Sequence, residues 1–418
     1  MADIPIVVVA YNRIDSLKRI LGSLLKAEYP IPAKLIISID RGDNADVLSF
    51  AEAFSWPFGE KQVIYQEKKL GLKAHILKCG KLTQQHDGII LLEDDLYVSP
   101  DFYRYAQECY AFVLGKNRIA GVALYNHRLS QLTEKVFEPL DDGFDNWYFQ
   151  YACSWGQLWT REQWAAFQIW LEQNGDYDFA ASPRIPAHIK GWGKNSWLKY
   201  HIAYTIEENK LFLYPRIART TCFSDAGVNF SYKMNWFQVP LMQGGRGRPL
   251  CLSEPEQSRA VYDAWMENLW LRKALNRDSL CIDLYGSKEH FEGKKYLLSS
   301  APVENARVVE RFGREMRPQE WNVLEKVPGD RIRLYELTPS SRKQPLTRAD
   351  RKEDAEYFIR GISYPYKKTI FAMFTQETVA KLRKIRARQT RRALDVFRGK
   401  RYNTMEKGGI CDGTNPMV

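Results

Sequence analysis

Three consecutive carboxylates, Glu93-Asp94-Asp95, close the apolar run Gly88-Ile-Ile-Leu-Leu92. That run has the length and β-branched content of a buried strand. Side chains alternate between faces along a strand, so a sheet cannot simply absorb three adjacent charges. A buried carboxylate without a partner is costly, and folded proteins pair it or give it a metal. Acids at the carboxyl end of a strand in an open α/β sheet stand where such sheets bind ligands. Hard oxygen ligands suit Mg²⁺ or Mn²⁺, and Mg²⁺ is commonly held by one or two carboxylates plus substrate phosphates. One reading of the triplet is therefore a divalent cation gripping a diphosphate. The other is a solvated acidic turn after a strand.

The elements that must position these acids read as alternating strands and helices. Residues 4–10 form a first buried strand, followed by the loop Tyr11-Asn12-Arg13. Asp15 or Ser16 can cap a helix whose Leu17, Ile20, Leu21, Leu24 and Leu25 recur at helical spacing. Residues 34–39 form a second strand ended by the turn composition Asp40-Arg41-Gly42-Asp43, and 62–65 form a third after a helix near 44–54. Gly71-Leu72 opens a helix to about Cys79, and the strand at 88–92 then delivers the acids. The alternation implies βαβ units and a parallel sheet. Pro100 stands at the start of a helix over 101–114, and a strand follows at 119–124. Residues 126–150 read as an irregular, acidic loop on the substrate side, 195–208 as a helix, and 211–215 as a short strand.

Gln243-Gly-Gly-Arg-Gly-Arg-Pro249 reads as a linker. It divides a first domain, 1–242, from a smaller α+β region, 250–340, with strands at 280–285, 296–299 and 331–335. A strongly basic helical tail follows over 365–405. At 418 residues the chain has room for this division. Its 45% hydrophobic content, with 13% aromatic, argues for packed cores and against disorder. The seven cysteines are scattered without a CxxC pair, which points away from a zinc site or disulfide framework and toward a reducing cytoplasm. The opening Met1-Ala-Asp-Ile-Pro5 lacks the basic segment of a signal peptide, and no apolar run approaches the roughly 18 residues of a membrane span.

Pro5-Ile-Val-Val-Val-Ala-Tyr-Asn-Arg13 resembles the start of a GT-A fold nucleotide-sugar glycosyltransferase. Leu91-Leu-Glu-Asp-Asp-Leu-Tyr-Val-Ser-Pro-Asp-Phe102 resembles the acidic motif and following helix of that group. The chain is similar to bacterial family 2-like transferases, and to N-acetylglucosaminyltransferase I. The run Ser154-Trp-Gly-Gln-Leu-Trp159, the segment Leu213-Tyr-Pro215 and the Gly-containing turn Asp225-Ala-Gly-Val-Asn229 extend the likeness to about residue 230. The resemblance implies a Rossmann-like mixed sheet flanked by helices, a nucleotide-sugar donor and Mn²⁺ or Mg²⁺.

It also implies roles. Asp95, the last acid, would ligate the metal. Asp94 would contact ribose or donor sugar, and Glu93 would support donor or acceptor. Asn12 and Arg13 would meet the nucleotide, Arg through its bidentate fork. Asp40 would contact the base, and Lys73 would face the donor phosphate. An inverting transfer needs a general base on the acceptor hydroxyl. N-acetylglucosaminyltransferase I has paired Asp before a Trp in the segment matching Lys194-Asn-Ser-Trp197, whereas this chain has Asn195 and Ser196 there. Asp225 and Asp145 are the alternatives. Trp155 and Trp159 are read as a wall for an acceptor sugar or as core, with Gly156 allowing close backbone approach between them. The histidines show no metal spacing.

The net charge is +11, and much of the excess lies near the C-terminus. Apolar residues at helical spacing among the arginines and lysines of 369–401 suit an interfacial helix on anionic lipid. That fits a lipid-linked acceptor at the inner face of a bacterial membrane, as in surface polysaccharide synthesis. No DNA or RNA module accompanies the charge, so nucleic acid is not an expected partner. Two rivals are weighed. A nucleotidyltransferase would want a Gly-rich, Lys-containing loop after the first strand, which Tyr11-Asn12-Arg13 is not. A catalytically weak sugar-nucleotide or glycan-binding protein on the same scaffold is favoured by the missing base at 195–196.

Overall fold

The computed structural model describes residues 2–225, 236–244, 248–291 and 293–358. Two compact units divide the chain, residues 1–354 and 355–418. The basic tail expected over 365–405 lies outside the described residues.

The first unit starts as a regular alternation: β1 Ile6–Ala10, α1 Ile14–Leu24, β2 Leu35–Ile39, α2 Ala45–Ala53, β3 Lys61–Tyr65, α3 Leu72–Gly80, β4 Gly88–Glu93. These strands lie in the order β4-β1-β2-β3, all parallel, with Leu92 beside Val8 and Glu93 beside Val9. Val and Ile fill β1, β2 and β4 because both faces are covered, and β1 and β2 are buried along their whole length. Strand order reverses at β1, which has β2 on one side and β4 on the other. The crevice at such a switch point, outside the carboxyl ends of the strands, is where open α/β sheets bind ligands. The Arg13 loop and the acid triplet flank this crevice.

The next elements are β5 Leu96–Val98, α4 Phe102–Val113, β6 Ile119–Ala123, β7 Asn146–Phe149, β8 Gln157–Thr160, α5 Arg161–Gln173, α6 Ala187–Lys190, α7 Trp197–Glu207, β9 Leu211–Pro215, β10 Thr220–Cys222 and β11 Val261–Tyr262. The full sheet runs β11-β7-β9-β6-β8-β4-β1-β2-β3. It is mixed: β8 is antiparallel to both β4 and β6, and β7 is antiparallel to β9. The wholly parallel sheet expected from the alternation therefore extends only from β4 to β3. Within 126–150, read as irregular, the structure places the short strand β7, whose Trp147, Tyr148 and Phe149 are buried. The helix α5 went unread although Thr160 and Gln163 form a reciprocal capping box at its start.

Past the expected linker the chain returns to the main sheet at β11 before leaving it. It then forms α8 Trp270–Ala274, β12 Leu280–Asp283, β13 Tyr296–Ser299, β14 Val303–Glu304, β15 Arg307–Phe312, α9 Glu320–Leu324 and β16 Ile332–Glu336. A separate four-stranded sheet, β12-β13-β16-β15, is backed by its own core of Leu271, Leu280, Ile282, Leu298, Phe312 and Leu334. These elements lie where an α+β region was expected, and they belong to the same unit, residues 1–354, as the main sheet. Their join to the main sheet is a buried charged network. Lys288 Nζ lies 2.5 Å from Asp263 Oδ2, and Lys343 Nζ lies 2.7 Å from Asp283 Oδ2. Such pairs are retained where removing one partner would leave a buried charge uncompensated.

Candidate active site

The acid motif is built by β4 running out of apolar residues. Glu93 is the last residue of the strand, and Asp94-Asp95 form the turn into β5. β5 pairs antiparallel with β10, so residues 220–222 lie along 96–98, and the Phe223 N–H then donates to the Asp95 carbonyl at 2.9 Å. Gly156 lets a third segment close in. Its φ is +90°, and a Cβ there would stand 2.7 Å from Thr220 Cγ2. The close approach expected of this glycine is thus real and is directed at β10.

Arg13, at the N-terminus of α1, reaches into the triplet. Its Nη2 pairs with Asp94 Oδ1, its Nε lies 3.4 Å from Asp94 Oδ2, and its Nη1 lies 3.2 Å from both Asp95 Oδ2 and the Asp225 carbonyl. One turn further along α1, Ser16 Oγ donates to Asp225 Oδ2 at 2.8 Å, and Arg19 pairs with the same oxygen while its guanidinium stacks 4.1 Å from the Phe223 ring centroid. The structure therefore brings Arg13, Glu93, Asp94, Asp95 and Asp225 together. Ser16 and Arg19 were missed. The signal for them was helical spacing, since Arg13, Ser16 and Arg19 recur every third residue along one strip of α1.

Burial, reinforced by the neighbouring Asp95 and Asp94, pushes the Glu93 carboxyl up to about 8. Burial likewise pushes Asp94 up to about 6 against the pull of Arg13, and raises Asp95. Burial alone would lower the Arg13 guanidinium, but the facing Asp94 and Asp95 hold it above its ordinary value. Among the described residues the guanidinium of Arg13 faces Asp94 and Asp95, and that of Arg19 faces Asp225. Burial, the largest cause of these shifts, disfavours the charged carboxylates, and their oxygens are the hard donors that Mg²⁺ or Mn²⁺ prefers. The residues present fit such a cation. Among the described residues no three His, Cys, Asp or Glu side chains form a complete cage. The fit is thus to a metal held by one or two carboxylates and completed by ligand oxygens.

The other expected residues lie apart from this cluster. Asp40 is buried and accepts the N–H groups of Arg41, Leu70 and Gly71 at 2.8–2.9 Å, fixing the loop into α3. Lys73 Nζ lies 3.4 Å from the centroid of the Tyr200 ring, toward α7. Asn12 is exposed in the loop after β1. Asp145 is buried, with Oδ2 bonded by Arg248 at 3.0 Å and by the Cys251 N–H at 2.9 Å, so its carboxylate ties 248–251 to the start of β7. Ser196 caps α7, its Oγ accepting the Lys199 N–H at 3.3 Å. Trp159 is fully buried against Trp164, Trp197 and His201, which makes it core. Trp155 is only partly buried and stacks 4.6 Å from both Tyr125 and Phe237, with the exposed Trp236 next in the chain. The two tryptophans thus differ: Trp159 is core, and Trp155 is a partly exposed residue packed on the edge of the core.

Residues 6–162 match the family model described as glycosyl transferase family 2. That segment, which holds β1, the Arg13 loop and the acid triplet, is similar to family 2 glycosyl transferases. No curated protein matches the chain. Solved structures overlap it partially. A Pyrobaculum calidifontis mannosyltransferase in complex with GDP-Man and Mn²⁺ is 12% identical, covers 52% of this chain and 58% of its own, and gives a TM-score of 0.32. S. aureus TarS 1-349 in complex with UDP-GlcNAc is 13% identical, with 54% and 60% covered and a TM-score of 0.33. GalNAc-T7 with UDP, GalNAc and Mn²⁺ is 13% identical, with 57% and 45% covered and a TM-score of 0.37. The chain spans about three fifths of the length of the first two.

Proposed function

We propose that this protein transfers a glycosyl group from a nucleotide-diphosphate sugar to a hydroxyl of a glycan or lipid-linked acceptor, with inversion and with Mn²⁺ or Mg²⁺. The observation that carries this is a largely buried cluster of three carboxylates at the carboxyl end of β4, met by Arg13. It faces the switch-point crevice inside the matched family segment. Asp95, with Asp94 beside it, would hold the metal, which when bound supplies Lewis-acid stabilisation of the leaving diphosphate. Asn12 and Arg13 would orient the nucleotide, and Arg13 would meet its phosphates. Asp40 and Lys73 would shape the donor side around the loop into α3. Glu93 and Asp94 would hold the sugar hydroxyls, fixing the anomeric carbon for attack.

Trp155 would present its face to the acceptor sugar. In the transfer, the acceptor oxygen bonds to the anomeric carbon as the bond to the diphosphate oxygen breaks. The hydroxyl proton passes to a carboxylate. Asp225 is favoured for that role over Asp145, because it stands in the acid cluster while Asp145 ties down a loop. Thermal melting with a panel of nucleotide sugars, with and without Mn²⁺, tests the proposal. One donor should raise the midpoint in the presence of the metal, in proportion to occupancy. A flat panel would remove the donor site.

A second reading, sugar-nucleotide binding without turnover, is favoured by Asn195 and Ser196, which stand where the resembled N-acetylglucosaminyltransferase I has paired Asp, and Ser196 serves as a helix cap. Stabilisation by a donor that is never consumed would select it.

No helix among the described residues is long and apolar enough to cross a membrane. The basic tail is proposed to hold the enzyme at an anionic cytoplasmic membrane face, where a lipid-linked acceptor of surface polysaccharide synthesis would be met. Deleting 369–418 should release the protein from phosphatidylglycerol-containing vesicles in a sedimentation assay. Unchanged binding would remove the tail from this role.

A further inference from the structure

We propose that Arg13 is the site's own exchangeable counter-cation: it neutralises Asp94 and Asp95 while the site is empty, yields them to the donor's metal, and turns to the donor's phosphates. The inference rests on the metal-dependent reading above and deepens it.

Arg13 engages three of the six carboxylate oxygens that the triplet could offer a metal. Asp94 Oδ1 and Oδ2 and Asp95 Oδ2 all face its guanidinium. A divalent ion seated on these oxygens takes lone pairs that the guanidinium now uses and repels its charge, which favours the departure of Arg13 as the ion enters. Arg13 can leave. Its only other bond among the described residues is to the Asp225 carbonyl, its side chain retains 24% exposure, and it springs from the first residue before α1, at the mouth of the crevice. Asp225 stays held by Ser16 and Arg19 when Arg13 moves, so the rest of the cluster keeps its shape. Among the described residues one guanidinium faces the three acids of the triplet. A divalent cation in its place brings an additional positive charge, and the released Arg adds a planar fork suited to phosphate.

Competition of this kind makes metal and nucleotide binding cooperative. Metal alone must displace Arg13 without offering it a new partner. Metal with a diphosphate supplies one, and the coupling must act equally in both directions.

The test is Mn²⁺ binding, read by the loss of the free-ion electron paramagnetic resonance signal on full-length protein at pH 8.5. Wild type, Arg13→Gln and Arg13→Lys are compared, alone and with UDP or GDP as probe. Arg13→Gln should bind Mn²⁺ alone about tenfold more tightly than wild type, the equivalent of ~1.4 kcal/mol. The gain in Mn²⁺ affinity from nucleotide should shrink in this variant. Arg13→Lys, which keeps the charge, should stay near wild type without nucleotide. Circular dichroism confirms that each variant is folded. If wild type binds Mn²⁺ and Arg13→Gln binds it equally or more weakly, the exchange is overturned while the metal-dependent reading stands. If none of the three proteins binds Mn²⁺ with either nucleotide, the metal-dependent reading itself falls, and the exchange with it.

Discussion

Asp95→Ala is expected to abolish consumption of the sugar nucleotide while leaving the protein folded. The carboxylate is proposed to hold the cation that stabilises the departing diphosphate. Losing such a ligand removes several kcal/mol of transition-state stabilisation. A loss of about 4 kcal/mol corresponds to roughly a thousandfold in kcat/KM. Stability should change little, because Arg13 keeps Asp94 as its partner and one of several crowded acids is removed. Asp145→Asn should show the opposite pattern. That carboxylate holds Arg248 and the Cys251 N–H, so its loss is felt first in stability. The measurement is donor consumption with Mn²⁺ beside a melting curve for each variant. Turnover by Asp95→Ala within tenfold of wild type would end the assignment of Asp95 to the metal.

The strand-and-helix alternation through β4 was legible because both faces of the sheet are covered, so β1, β2 and β4 are continuous apolar runs. Helix α1 was legible because only one of its faces is buried. The acid triplet stood out for the complementary reason: three charges interrupt a strand that has no room for them. Beyond β4 the signals weaken. β7 and β8 have four residues each, too few for periodicity, and their aromatic residues read equally well as a loop wall. Only the fold shows that Trp159 is fully buried while Trp155 packs partly exposed at the edge of the core.

The partners of the site were harder still. Asp225 could be named from its motif, but its link to α1 spans more than two hundred residues and depends on β10 lying against β5. Asp40 and Asp145 look like free acids in sequence. Their roles as ties for backbone N–H groups emerge only once the loops they hold are in place. The same limit applies to Arg13, whose phosphate-binding chemistry was evident but whose empty-site partners were not.

The placement of Asp225 in turn depends on a buried ion pair remote from the chemistry, and Arg219→Met should expose that dependence. Arg219 precedes β10. Its backbone bonds Leu124 and Ser99, and its Nε lies 3.3 Å from Asp101 Oδ2, with both side chains almost wholly buried. The guanidinium also lies 4.8 Å from the Tyr105 ring centroid. Removing one member of a buried pair leaves the other charge unsolvated, which costs about 3–5 kcal/mol. Replacing both members by uncharged groups avoids that penalty, so Arg219→Met combined with Asp101→Asn should recover most of the loss in a denaturant titration. Activity should follow a different course. The double variant lacks the tie between β10 and the start of α4, so Asp225 should be held less firmly and kcat should remain below wild type even where the protein is fully folded. A positive coupling energy between the two sites, read from the four-protein cycle, is the signature of the pair. Additive losses would mean that Arg219 acts through packing on Tyr105, and the strap carrying Asp225 would then be held by β5 alone.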